Sequence, residues 1–125
     1  MQITINDKAY SLQWGMGAIE IYCDSMNCDI EGLDKVFILN KDQPKAIVSL
    51  ILAALKNAAE LKDETLDVSY RQLQAWLDEA DQEIFKEIMK DFKASKYFGR
   101  TIAEYLLGEP SEESAIKKKS RLVKS

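Results

Sequence analysis

A predominantly α-helical α+β fold is predicted by three features: a short alternating stretch at the N-terminus, helical spacing of apolar residues through most of the remainder, and one segment so apolar that it must lie centrally. The architecture expected is an N-terminal β-hairpin packed on a bundle of about five helices. Residues 1–108 would form a single domain and residues 109–125 a flexible charged tail. The chain has 125 residues and 46% hydrophobic content, enough for one domain with a core.

In "QITINDKAYSLQW" the apolar residues Ile3 and Ile5 alternate with polar ones, the pattern breaks at Asn6-Asp7-Lys8, and alternation resumes through Tyr10, Leu12 and Trp14. That is a hairpin signal, and its bulky face must lie on helices because an isolated two-stranded ribbon is marginal in water. From Met16, the residues Ile19, Tyr22, Cys23 and Met26 follow three- and four-residue spacing, and the helix should end near Asn27. A shorter helix is expected over "DIEGLDKVFILN", with Ile30, Leu33, Val36 and Phe37 in phase, weakened by Gly32 and closed by Asn40.

The next helix opens at Asp42 and Pro44 and carries Ile47, Val48, Leu50, Ile51, Leu52 and Leu55, so that apolar residues nearly encircle its first half. It is predicted to be the most buried element. A capping box of Ser69 and Gln72, with a hydrophobic staple of Val68 and Leu73, marks the start of a helix whose stripe is Leu73, Trp76, Leu77 and Ala80. A further helix sets Ile84, Phe85, Ile88, Met89 and Phe92 on one side and the solvated charges Glu83, Lys86, Glu87 and Lys90 on the other. "YFGRTIAEYLLGEP" reads as a last short helix with Ile102, Tyr105 and Leu106 inward, stopped by Gly108 and Pro110.

The 21 acidic residues outnumber the 17 basic ones, for a net charge of −4, which disfavours general nucleic-acid binding. No apolar run approaches the roughly 18 residues of a membrane span, and "MQITINDKAY" does not read as a signal peptide, so a cytoplasmic protein is expected. The charge is uneven: residues 1–108 carry 12 basic and 18 acidic side chains, whereas the tail carries five basic and three acidic. With so few apolar residues the tail is expected to be a mobile arm, lying on the body or free of it. Cys23 and Cys28 would sit about 140° apart on a helix, which opposes a disulfide between them. With no histidine in the chain they cannot complete a usual zinc set, and they read as core or boundary residues.

Gly15-Met16-Gly17 invites comparison with a dinucleotide fingerprint, but Glu20 stands where the third glycine belongs and no strand follows the helix. A phosphate loop would also need a Gly-Lys-Ser/Thr ending. The pair reads instead as punctuation turning the chain from hairpin to helix. Asp78, Glu79, Asp81 and Glu83 cluster at a helix junction and could be considered for a divalent metal, yet the same residues suit an exposed helix start. The expectation is therefore no metal, no cofactor and no catalytic residue, with an enzyme the weakest of the readings.

The order of parts resembles the small tail assembly chaperones of long-tailed bacteriophages. The likeness rests on the pattern h-x-h-x-x-x-x-Y-x-h-x-(F/W)-G, matched by Ile3, Ile5, Tyr10, Leu12, Trp14 and Gly15, with Ala18 and Tyr22 following on the helix. The resemblance implies a cytoplasmic protein of the bacterial host that coats the long tape measure protein and helps recruit tail tube subunits; from charge and hydropathy, neither nucleic acid nor membrane is expected as partner. It also implies, in many members, a longer product made by a frameshift, for which codons of Lys117-Lys118-Lys119 would be the slippery run. It supplies no residue-level site.

From the residues, the contact anchors singled out are Trp76, Tyr97, Phe98 and Tyr105, because exposed aromatics dominate contact energetics. Each of them, Trp76 above all, also suits ordinary core packing. Association through apolar surface, with a helical partner or into homo-oligomers, is the behaviour expected. The competing class is a small helical regulator or adaptor acting on a transcription complex, for which the only basic cluster is Lys117 to Lys124.

Overall fold

The computed structural model describes residues 1–27 and 44–106, without the side chain of Leu106. The short helix predicted around Ile30, Leu33, Val36 and Phe37, Cys28, and the tail from Glu109 lie outside the described residues, as does the packing expected of Leu106.

Strands β1 (Gln2–Ile5) and β2 (Lys8–Ser11) pair antiparallel, with Ile3 opposite Tyr10 and Ile5 opposite Lys8. The connection is the two-residue turn Asn6-Asp7, both at positive φ (51° and 66°). That mirror-image geometry matches the twist of the strands, and Asn and Asp tolerate it at small cost. Ile3, Ile5, Leu12 and Trp14 are buried as the alternation predicts.

Helix α1 (Met16–Met26) buries Ala18, Ile19 and Tyr22 and ends on Asn27 in the left-handed conformation. It packs chiefly on α2 (Pro44–Leu61), the central helix. From Val48 to Leu55 every residue of α2 is buried, Ser49 included, so the expectation of a nearly encircled helix holds. Helix α3 (Tyr70–Glu79) begins with the predicted capping box: Ser69 Oγ accepts from Gln72 N at 3.2 Å and Gln72 Oε1 accepts from Ser69 N at 2.8 Å. The staple residues Val68 and Leu73 are both in the core. Helix α4 (Gln82–Ala94) buries Ile88 and Phe92, and Phe92 meets the Trp14 ring edge-on at a centroid separation of 4.9 Å. Its outer face carries the Glu83–Lys86 pair at 3.4 Å.

The end of the described chain departs from the sequence expectation. Between α4 and the last helix lies a second, minimal ribbon, β3 (Lys96–Tyr97) with β4 (Arg100–Thr101), turning at Phe98-Gly99. Ile102 N donates to Ser95 O at 2.9 Å and extends its ladder. Helix α5 (Ile102–Leu106) follows, with Thr101 Oγ1 accepting from Glu104 N at 3.2 Å. Ile102 is fully buried as predicted, but Tyr105 is exposed. Three-residue spacing put both residues on one face, yet in a helix of barely more than one turn the second lies beyond the edge of the core.

Candidate functional site

The glycine pair at the hairpin exit is resolved by geometry. Gly15 takes a φ of 105°, which a side chain disfavours, and so bends the chain into α1. Gly17 has a different reason to be glycine: a Cβ there would run into the carboxamide of Asn57, with Cγ 3.0 Å away. That carboxamide donates from Nδ2 to Gln13 O at 3.0 Å and to Trp14 O at 3.5 Å, and Gln13 N in turn donates to Ala54 O at 3.2 Å. The loop is thus clipped to α2 by a buried asparagine side chain and one backbone hydrogen bond. Both glycines therefore have a structural reason in the turn and its packing on α2.

Two carboxylates fasten the hairpin elsewhere. Asp67 accepts from Lys8 Nζ at 2.8 Å and from Tyr10 OH at 2.7 Å. The Lys8 and Tyr10 hydrogen bonds hold the Asp67 carboxyl below its ordinary value, and the same bonds raise Lys8 and Tyr10 above theirs. Asp91 accepts from the Trp14 indole at 2.8 Å. In the acidic cluster predicted at the α3–α4 junction, Asp81 is the N-cap of α4, its Oδ1 accepting from Glu83 N at 3.0 Å. Among the described residues no group of three or more His, Cys, Asp or Glu side chains is placed to hold a metal.

Of the four aromatic anchors, three come together. Tyr97 meets Phe98 at a centroid distance of 4.8 Å, nearly perpendicular, and meets Tyr105 at 4.9 Å. Phe98 is 74% exposed and Tyr105 44%, with Tyr97 half-buried beneath them. Trp76 is not part of this cluster; it lies on α3, packed partly against the core. Phe98 also has a φ of 50° and Gly99 one of 78°, the mirror-image turn that favours Asn-Gly. A bulky aromatic residue in that conformation is an outlier, held there at a cost of about 1–2 kcal/mol. Lys96 and Arg100 flank the turn, both exposed. The sequence signal that could have located the ribbon is the glycine at the second turn position of "KYFGRT", between residues of strand type.

A separate groove of about 520 Å³, lined by Ile47, Val48, Leu77 and Phe85 with Asp78 and Asp81, runs along α2, α3 and the start of α4. Among the described residues no helix is long and apolar enough to cross a membrane. No family model matches the chain, and neither does any curated protein or solved structure.

Proposed function

We propose that the chain is a tail assembly chaperone of a long-tailed bacteriophage, which keeps the tape measure protein soluble and helps bring tail tube subunits to it. The observation that carries the reading is Phe98, a large aromatic side chain 74% exposed at the tip of a turn whose backbone disfavours it. Backbone outliers cluster at functional sites, and an exposed aromatic tip has the form of a contact anchor. Tyr97 and Tyr105 support it from behind, as expected of an aromatic contact anchor. The class of partner comes from the likeness of Ile3, Ile5, Tyr10, Leu12, Trp14 and Gly15 to the entry motif of that family. The groove along α3 adds a surface on which an amphipathic helix of the same partner can lie.

Co-expression tests the proposal. The very long helical protein expected from a neighbouring gene should be recovered in the soluble fraction with this chain and lost to the pellet without it. Equal insolubility in both cultures would remove the reading. A salt-dependent gel shift separates the competing class, since tight DNA binding would favour a regulator.

A further inference from the structure

From the charges around the aromatic cluster we infer that the partner segment it takes is acidic, a linear or helical stretch presenting an aromatic or aliphatic side chain beside carboxylates; the inference rests on the cluster being a protein-docking surface. Residues 93–101, "KASKYFGRT", contain Lys93, Lys96 and Arg100 and no acidic residue, in a body where acidic side chains exceed basic ones by 18 to 12. None of these three cations forms an ion pair among the described residues. Asp91, the nearest carboxylate preceding them, is already engaged by the Trp14 indole. The apolar tip Phe98 is therefore flanked along the ribbon by the exposed, uncommitted cations Lys96 and Arg100, with Lys93 before them on α4 and the carboxylate of Glu104 after them, beside Tyr105. Its complement is a hydrophobic anchor with negative neighbours, which Lys96 and Arg100 would steer in and orient.

Charge also argues against two other occupants. A second copy docked patch to patch across a two-fold axis would bring the same cations together. Nucleic acid would meet the negative potential of the body around a small basic spot.

The test selects random linear peptides on the full-length protein, with Phe98→Ala as the counter-target. Enriched peptides should combine Asp or Glu with an aromatic or large aliphatic residue. A labelled selected peptide should bind Phe98→Ala about thirtyfold more weakly. It should bind Lys96→Glu/Arg100→Glu at least tenfold more weakly at low salt, and raised salt should narrow that second difference. Peptides that need Phe98 but show no acidic bias, or that ignore the charge reversal, would overturn this inference and leave the docking surface standing. Failure to obtain any Phe98-dependent peptide would count against both. Selected sequences reproducing Glu109 to Glu113 would assign the patch to the chain's own end. Phe98-dependent binding of a labelled oligonucleotide, or concentration-dependent dimers abolished by Phe98→Ala, would equally overturn the acidic-partner assignment.

Discussion

Replacing Gly17 by alanine sets two effects against each other. Gly17 lies inside the first turn of α1 with a φ outside the positive range, so helix propensity alone would make alanine stabilising by at most about 1 kcal/mol. Against this, the added Cβ overlaps the Asn57 carboxamide. Asn57 is only 8% exposed and cannot swing away without releasing Gln13 O and Trp14 O. Losing that clip leaves the part-buried Gln13 O and the buried Trp14 O without this donor at about 1–3 kcal/mol, and leaving it in place forces overpacking of about the same size. The net expectation is a loss of about 2 kcal/mol, or a fall in Tm of about 8 °C for a domain of this length. The decisive experiment is a double-mutant cycle read by thermal and urea denaturation. In an Asn57→Ala background the obstruction is gone, and Gly17→Ala should then be neutral or stabilising by up to about 1 kcal/mol. If Gly17→Ala lowers Tm equally in both backgrounds, or raises it in the wild type, Asn57 is not the reason for the glycine.

Phe98→Asn should leave Tm unchanged or raise it by a few degrees, because Asn-Gly suits the turn; a fall of more than about 8 °C would mark Phe98 as a structural residue. Ile51→Asp should unfold the domain, since Ile51 is 0% exposed and an unpaired charge there costs several kcal/mol by typical values; an unchanged Tm would show the core to be elsewhere. The Asp67 latch carries a pH signature. The folded carboxyl lies below its ordinary 3.8, so its contribution is complete above that value and fades as the pH falls through the lower folded value. Lys8 and Tyr10 lie above their ordinary 10.5 and 10.0, so their contributions are present below those values and fade as the pH rises through the folded ones. The Tm difference between wild type and Asp67→Asn should be constant from about pH 5 to 9 and shrink at both ends; a difference independent of pH would refute the latch.

Much of this architecture could be read from local chemistry. The first hairpin announces itself because Ile3, Ile5, Tyr10, Leu12 and Trp14 alternate around a polar turn, and α3 because Ser69 and Gln72 cap it in a pattern confined to four residues. The centrality of α2 follows from the absence of a polar face over Val48 to Leu55. The second ribbon escaped because strands of two residues have no period to detect, and its turn carries Phe98 where Asn would have signalled it. The Asn57 clip was equally out of reach. A polar residue inside a helix says nothing of a loop 43 or 44 positions away, and only packing selects that partner. Of the candidate site, sequence singled out Tyr97, Phe98 and Tyr105 as exposed-type aromatics. Their convergence, and the separate placement of Trp76, depend on where the ribbon turns.

The most direct measurement of the central claim is site-specific photocrosslinking from the tip of the patch. The chain carrying p-benzoyl-phenylalanine in place of Phe98 would be irradiated in cells that express it with the neighbouring genes, and the adducts identified by mass spectrometry. The same substitution at Glu87, on the exposed face of α4, serves as control. The account predicts an adduct with the very long helical protein from position 98 and none from position 87. Equal adducts from both positions, or crosslinking from position 98 to nucleic acid alone, would contradict it.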